Sequence, residues 1–273
     1  MQNASDLKTQ LQAIHRKSYP AYKSLKDSYQ FRDFILHIDH VQGDPFASPS
    51  HIRIRLSHKT AGFPATYYKD TLTRVTLADY LTRQFEAQVS RYTFRAKGSG
   101  KSGLISVSHC GQEVLSRSAC EITDKEITAR FFIGFPANGR TINATELEKI
   151  LFDFLPVCIE KAFFYKNTDH RNLEQAIFLA EDQDSIRSQL KKKNLVAFVA
   201  DHSVLPRESG ISSRPLKDSV PFMSPQSLRV SMELPHEGTI YGMGIPAGIT
   251  LIVGGGYHGK STLLNALELG VYN

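Results

Sequence analysis

A stretch near the end of the chain has the residue types and spacing of a phosphate-binding loop. Residues 254–261 read Gly-Gly-Gly-Tyr-His-Gly-Lys-Ser, the pattern G-x-x-x-x-G-K-S. Glycines let backbone amides approach phosphate oxygens that side chains would keep away. Lys260 can reach the β- and γ-phosphates, and the hydroxyl of Ser261 can bind Mg²⁺. The pattern predicts a nucleoside triphosphate site with Lys260 as the catalytic residue, Ser261 on the metal, and phosphate contacts from Gly254, Gly255, Gly256, Tyr257, His258, Gly259, Lys260, Ser261 and Thr262.

The residues on either side of this loop predict the elements that hold it. Ile249–Val253 is an apolar run typical of a buried strand, and residues 262–269 have helical composition. A helix that starts directly after the loop adds its unpaired amides and the positive end of its dipole. A P-loop ATPase also needs later strands, one of which ends in the acidic residue that positions Mg²⁺. We therefore expect an α/β P-loop domain that is incomplete at its C-terminus and does not hydrolyse ATP by itself.

A second glycine-rich stretch, Gly98–Gly103, is similar to half of such a loop. It reads Gly-Ser-Gly-Lys-Ser-Gly, but Arg95 stands where the leading glycine would be. The run Leu104–Val107 that follows has a strand pattern, so no helix start would support an anion there. Two interpretations stay open: a basic hairpin loop that makes a secondary phosphate contact, and an ordinary solvated turn.

Composition restricts the class of protein. The 273 residues are 41% hydrophobic and 22% charged, as in globular proteins with one large domain or two ordinary ones. A net charge of +6 permits phosphate or nucleic-acid binding without requiring it. The three cysteines lack C-x-x-C spacing, so neither a disulfide framework nor a zinc site is expected. With no signal-peptide core and no apolar run of membrane-spanning length, the sequence predicts a cytoplasmic protein without membrane contact.

Residues 1–165 have the mixed pattern of an N-terminal α+β domain. The alternating run His51–Leu56 predicts a strand with Arg53 and Arg55 on one face. Thr145 and Glu148 form a capping-box pattern that opens a helix through residue 155. The other predicted elements are helices at residues 6–17, capped by Ser5-Asp6, and 72–88, and strands in the second half of 31–41 and at 104–107, 113–121 and 126–135, with a turn at 136–140.

The polar stretch Lys166–Asn172 predicts the boundary to a second domain at residues 170–273. A helix is expected over 172–190, and Lys191–Lys193 would then lie at its C-terminus, where cations favour the helix dipole. Leu195–Ala200 reads as a buried strand. Residues 205–227 are rich in Pro, Ser and Arg and predict an irregular segment, and residues 242–248 predict a turn that leads into the P-loop strand.

With these residues in place, the chain resembles the predicted ATPases of the ABC class, a family of stand-alone proteins that are not membrane transporters. The resemblance is carried by Gly242–Leu264, which includes the distinctive tyrosine and histidine of the loop, and spans nearly the whole chain. The other matching stretches are residues 39–47, 98–105, 181–183, 195–210, 220–222 and 270–273.

The resemblance implies ATP and Mg²⁺ as cofactors and a homodimer that encloses nucleotide between two cassettes. Family members are about twice as long as this chain, which agrees with a missing C-terminal half. The phosphate and Mg²⁺ contacts carry over to Gly254, Gly259, Lys260, Ser261 and Thr262. The common ABC pattern has glycine where Tyr257 stands and a small polar residue at position 258. An aromatic side chain usually stacks on adenine in these cassettes, and Tyr241 and Phe222 are candidates.

Several functions are compatible with this sequence. The first is a soluble ABC-class ATPase that binds ATP-Mg and couples nucleotide-driven dimer closure to its N-terminal domain. The second is an RNA-binding or other nucleic-acid-binding protein with ATP as regulator. A small GTPase or kinase and a Ser-His-Asp hydrolase at residues 201–203 are weaker alternatives, since no guanine-reading motif is visible and adjacent residues do not form a triad. The nucleic-acid contacts would come from Arg53, Arg55, Lys97 and Lys101, joined by Arg91, Arg95 and Arg140.

Overall fold

The computed structural model describes residues 1–272 and contains two compact units. The first unit comprises Met1–Gly111 and Ser116–Leu173, and the second comprises Gln112–Leu115 and the chain from Glu174 onward. No helix within the described residues is both long enough and apolar enough to cross a membrane.

The first unit is built around one mixed sheet of seven strands. The strand order is β1-β2-β3-β4-β7-β5, and β6 also pairs with β7; β1 and β2 are parallel, and the other pairs are antiparallel. A short hairpin of β8 and β9 lies outside this sheet. The strands are β1 (Gln2–Asn3), β2 (Ser28–Gln30), β3 (Ile35–His40), β4 (Ser50–Ser57), β5 (Ile105–Ser106), β6 (Cys120–Ile122), β7 (Glu126–Ile133), β8 (Ala137–Asn138) and β9 (Thr141–Ile142).

Helices cover the apolar face of this sheet. Leu77, Leu81 and Phe85 are fully buried along α3, as their four-residue spacing predicts. The ring of Phe85 contacts Phe131 of β7 at 5.1 Å and Phe163 of α5 at 5.2 Å, which joins helix, sheet and second helix in one core. The helices are α1 (Ala4–Ile14), α2 (His58–Ala61), α3 (Thr71–Val89), α4 (Ala144–Glu148) and α5 (Leu155–Phe163), with 3₁₀ turns at Tyr19–Leu25, Ala65–Tyr68 and Tyr165–Asn167 and a π-helix at Lys149–Phe154.

Several local predictions for this unit are wrong at their boundaries. The first helix is capped by Asn3, and Asp6 is its capping-box partner at N3. The expected box at residues 145–148 is replaced by Asn143, whose side chain accepts from the Glu146 amide at 3.4 Å. Residues 113–119 are irregular, so only the end of the strand expected over 113–121 forms. Several polar residues near a helix start can serve as its cap, and the pairing of a strand depends on partners elsewhere in the chain, so the local pattern does not fix these boundaries.

The second unit contains a three-stranded antiparallel sheet in the order β10-β12-β11. It follows the long helix α6 (His170–Lys192), which ends in lysines as predicted. The strands are β10 (Leu195–Ala200), β11 (Arg229–Leu234) and β12 (Gly238–Pro246), with a 3₁₀ turn at Gln226–Leu228, an otherwise irregular segment over 205–227 and a last helix α7 (Lys260–Leu269).

Two predictions fail in this sheet. Leu195–Ala200 is a strand but is not buried along its length, since Val196 is 61% exposed and only Val199 is fully enclosed. The turn expected over residues 242–248 is instead the second half of β12. A Cβ atom at Gly242 would lie 2.3 Å from the carbonyl oxygen of Val199. The glycine therefore allows β12 to lie close to the backbone of β10, and it does not form a turn.

Candidate functional site

The glycine-rich stretch at 254–259 forms an exposed loop that leads directly into α7. The chain turns away from β12 after Pro246, and Gly248 has a φ of +108°. Gly259 is the N-cap of α7 with a φ of +77°, a backbone conformation that glycine adopts without strain. The first helical residue is Lys260, two positions earlier than the composition predicted.

Helix α7 is fixed to the second unit by its apolar side. Leu263 and Leu267 pack against a small buried cluster of Val199, Met243 and Ile245. At the other end of the helix, Arg187 of α6 donates to the carbonyl oxygens of residues 270 and 272, at 3.4 and 2.6 Å. A cation at this position also favours the negative end of the helix dipole. The loop is therefore presented from a helix whose position is set by packing.

The backbone amides of this loop are available to a ligand. Within residues 1–272, the amides from Gly256 to Thr262 donate to no protein acceptor, whereas Leu263 resumes the helical pattern with a bond to Gly259. The amide of Gly255 donates to Nδ1 of His258 at 3.1 Å. Successive unpaired amides at a helix start form a concave set of donors with a positive dipole end. This donor set is suited to phosphate oxygens.

Lys260 places its ammonium group over the same loop. Its Nζ donates to the carbonyl oxygen of Gly254 at 2.6 Å and also to that of Gly255. Ser261 is exposed in the first turn of α7, so its hydroxyl can be reached by a metal–phosphate complex. No group of three or more His, Cys, Asp and Glu side chains in the described part of the chain could hold a metal by itself. The residues therefore fit Mg²⁺ only in the form in which it binds with phosphate oxygens and water.

The buried strand predicted for Ile249–Val253 is wrong. The segment has no regular structure, and Ile249, Leu251 and Val253 are 104%, 82% and 75% exposed. No strand within residues 1–272 pairs with it. An apolar run forms a buried strand only where neighbours supply hydrogen bonds and cover its side chains. Since no strand of residues 1–272 gives this segment such neighbours, its composition alone does not produce the element.

Tyr257 and His258, the two bulky residues of the loop, have different orientations. Tyr257 has a φ of +61°, and its ring is fully exposed. A positive φ is energetically unfavourable for a tyrosine, whereas a glycine adopts it without strain. His258 instead folds back over the loop: a Cβ atom at Gly255 would lie 3.2 Å from its Cε1. The imidazole therefore covers part of the loop, while the tyrosine projects away from it.

The second glycine-rich stretch, Gly98–Gly103, is folded into the first unit. The amides of Ser99, Lys101 and Gly103 donate to the carbonyl oxygens of Ala137, Pro45 and Gly134, at 2.7, 2.8 and 3.0 Å. The hydroxyl of Ser102 accepts from the Ala137 amide at 3.0 Å. These donors are used inside the protein, so they are not available to a phosphate. This stretch is a packed junction between three chain segments, which is neither of the two interpretations that the sequence left open.

The four residues predicted to contact nucleic acid make different contacts within the protein. Arg53 makes a bidentate pair with Asp39, at 3.0 and 2.9 Å, and Arg55 makes one with Glu126, at 2.6 and 2.7 Å. The carboxylates neutralise both guanidinium groups, and the pKa of Asp39 is lowered mainly by its hydrogen bond with Arg53. Lys97 donates to a backbone carbonyl oxygen at 3.3 Å, and Lys101 belongs to the packed junction. The shared strand face of the two arginines is confirmed, but its charge is balanced.

The three other arginines considered for this surface are not gathered around one feature. Arg95 lies over the ring of Tyr92 at 4.9 Å. The amide of Arg91 donates to the Gln88 carbonyl oxygen at the end of α3, and the carbonyl oxygen of Arg140 accepts from the Tyr19 amide. These contacts connect backbone segments of the first unit.

The two candidate adenine-stacking rings are both in contact with protein groups. The guanidinium of Arg229 lies over the ring of Tyr241 at 4.6 Å, and Phe222 packs against the buried cluster under α7. Asp201 pairs with Arg229 at 3.1 Å and accepts from the Ser224 amide at 2.7 Å. Those hydrogen bonds lower its pKa, with the Ser224 contributions largest. No hydrogen bond in residues 1–272 joins the side chains of residues 201–203, so a hydrolase triad is absent from this part of the chain.

One group of polar contacts could not be predicted from any local sequence pattern. The buried carboxylate of Asp182 on α6 accepts from the amide of His236, at 3.0 Å, in the turn between β11 and β12. The imidazole of the same histidine bonds Glu181 at 2.7 Å and stacks on Phe178 with ring centroids 3.9 Å apart. More than fifty positions separate the partners, and no motif spacing links them. These contacts attach the β11–β12 turn to α6 and thereby fix the sheet that carries the loop.

Two comparisons with protein families cover nearly all of the chain. Residues 4–166 match the family described as the N-terminal part of ATPases of the ABC class. Residues 169–273 match the P-loop domain of the ABC_ATPase family. No individual curated protein matches the chain.

Proposed function

Because this chain belongs to the ABC-class ATPases, we propose that residues 254–262 bind the phosphates of ATP together with Mg²⁺. The observation that carries the proposal is the run of unpaired amides from Gly256 to Thr262 at the start of α7. Lys260 already lies over the loop and would move from the carbonyl oxygens of Gly254 and Gly255 to the β- and γ-phosphates. Bound phosphate would also compete with His258 for the amide of Gly255.

Ser261 would hold Mg²⁺ by its hydroxyl. The bound ion supplies charge neutralisation at the phosphate oxygens. The chain's own contribution is to orient these oxygens by its amides and to hold a positive charge next to them. Among the described residues, no acidic side chain bonds to any residue of the loop. We therefore propose that residues 1–273 bind nucleotide, and that hydrolysis belongs to a site completed by further groups.

The activity that we propose for this ABC-class ATPase is ATP hydrolysis coupled to closure of a homodimer. Contacts to the γ-phosphate from both cassettes would favour the closed state over the open one, and the N-terminal unit would move with the cassettes. The family membership supports this assignment. The paired state of Arg53 and Arg55 gives no support to an RNA-binding function, so it is not proposed.

The test is equilibrium binding of ATP-Mg to the chain and to two lysine variants. Lys260→Ala removes a charge-assisted contact and should weaken binding by about 10- to 100-fold or abolish it. Lys101→Ala is the matched control. Its loop also has the sequence Gly-Lys-Ser, but amides of that loop donate to carbonyl oxygens within the protein. Equal binding by wild type and Lys260→Ala, or a larger effect of Lys101→Ala, would refute the assignment.

A further inference from the structure

The first unit contains an open cleft of about 460 Å³ that the nucleotide site does not use. Its walls come from the first turns of α3, from the segment before β6, and from β6 and β7. All of its lining residues belong to the first unit. They are Thr71, Arg74, Val75, Ala78, Ser116, Arg117, Ser118, Cys120, Glu121, Ile122 and Arg130.

One arginine of the cleft is oriented by a buried carboxylate. Asp79 is only 3% exposed and forms ion pairs with Arg117 and, at 2.6 Å, with Arg83. A buried carboxylate with two guanidinium partners holds them in fixed positions, because any movement would leave a charge unpaired in the core. Arg117 lines the cleft with its side chain 17% exposed. The guanidinium of Arg117 is therefore held in a fixed position in the wall of the cleft.

Two further arginines reach the cleft with hydrogen-bonding capacity left. Arg74 donates from Nε to the Tyr68 carbonyl oxygen at 2.8 Å and pairs with Asp124. Arg130 donates to the Ser118 carbonyl oxygen and to Glu121, both at 2.9 Å. A guanidinium has five N–H donors, so each of these two keeps donors beyond its described contacts.

The carboxylates that pair with these two arginines are easily exchanged. The side chains of Asp124 and Glu121 are 81% and 55% exposed. Exposed ion pairs of this kind contribute little, since water and salt screen them. An incoming anion can therefore replace either carboxylate at small cost.

The remaining lining defines the class of ligand. Each of the three lining arginines is paired with a carboxylate, and the two exposed carboxylates, Asp124 and Glu121, are the ones that an anion can displace. Serine and threonine hydroxyls add donors, while Val75, Ala78 and Ile122 offer apolar surface. Arginine binds phosphate through paired N–H donors, and a cleft of this size holds a phosphate together with a ring. We propose that this cleft is a binding site for a phosphate monoester of a small organic molecule, separate from the nucleotide loop.

The proposal is tested by calorimetric titration of the full chain carrying Lys260→Ala, which removes the main charge of the other phosphate site. The probes are phenyl phosphate, inorganic phosphate and benzoate. Phenyl phosphate should bind about tenfold more tightly than inorganic phosphate, because its ring is buried against the apolar wall. Benzoate has one charge and fewer acceptor oxygens, so it should bind more weakly than phenyl phosphate.

Two variants locate the site, and a third serves as control. Arg130→Ala removes donors and Ala78→Phe fills the cleft, and each should weaken phenyl phosphate binding by about tenfold or more. Arg32→Ala removes an exposed arginine of the same unit that does not line the cleft, and it should leave binding unchanged. Circular dichroism confirms that each variant is folded.

Four results would overturn the proposal. Phenyl phosphate binding to the wild type that disappears in Lys260→Ala would place it at the nucleotide loop. Binding that neither Arg130→Ala nor Ala78→Phe affects would exclude the cleft, as would an absence of binding. Benzoate that binds as tightly as phenyl phosphate would exclude phosphate as the recognised group.

Discussion

Gly134 is a position where a single methyl group should strongly destabilise the first unit by a backbone clash alone. It follows β7, and a Cβ atom built there would lie 1.8 Å from the carbonyl oxygen of Lys101 in the packed junction. The two segments are joined by hydrogen bonds from Gly103 to Gly134, at 3.0 Å, and from Gly134 to Leu104, at 2.8 Å. Backbone atoms cannot rotate out of the way as a flexible side chain can. Gly134→Ala must therefore separate the segments.

The expected cost follows from two terms. Overpacking of a close backbone contact costs about 2 kcal/mol, and the loss of one of the two hydrogen bonds costs about 1 kcal/mol. A destabilisation of about 3 kcal/mol should lower the melting temperature of a unit of this size by about 6–12 °C. Thermal and urea unfolding followed by far-ultraviolet circular dichroism measure it, since the chain has no tryptophan for fluorescence.

Two other glycines separate the steric effect from backbone strain. Gly43 has nothing within 4 Å of a built Cβ atom, and Gly43→Ala should change the stability by less than about 0.5 kcal/mol. Gly139 also has open space but a φ of +59°, so Gly139→Ala should cost about 1 kcal/mol from strain alone. If Gly134→Ala were no more destabilising than Gly139→Ala, the packed-junction interpretation would be refuted.

Three further predictions concern other parts of the molecule. Gly242→Ala should destabilise the second unit by about 2 kcal/mol, because its methyl group would meet the backbone of Val199, and urea unfolding that matches wild type would contradict this. Burial raises the pKa of Cys158 to about 11, so this thiol should react with an aromatic disulfide reagent at pH 8 only after unfolding; rapid modification of Cys158 in the folded chain, located by peptide mapping, would disagree. The lowered pKa of Asp201 means that its contribution to stability is present above its unfolded value of about 3.9 and is lost as the pH falls through the folded value, so Asp201→Asn should lose less stability on acidification, as measured by urea midpoints across pH.

Much of the first unit could be predicted because its patterns are local. The apolar stripe of α3 and the alternation of β4 repeat with the periods of their elements, and both elements form at the expected residues. The cap of α1 was misplaced because more than one nearby polar residue can cap a helix start, and the turn expected at residues 242–248 is wrong because the partner strands of β12 lie elsewhere in the chain. Gly242 is the clearest case: a glycine that is typical of turns is needed for contact with a neighbouring strand.

The sequence by itself determined the family and the position of the glycine-rich loop before α7, because that motif depends on residue types at fixed short spacing. Only the tertiary structure distinguished the two glycine-rich stretches. Both contain Gly-Lys-Ser, but the amides of Ser99, Lys101 and Gly103 are bonded to carbonyl oxygens from distant segments, whereas those of residues 256–262 have no acceptor within residues 1–272. The structure also paired Asp79 with Arg117 across 38 positions and left Ile249–Val253 exposed. Hydrogen-bond partners and sheet neighbours far apart in the chain decide these features, and no local pattern records them.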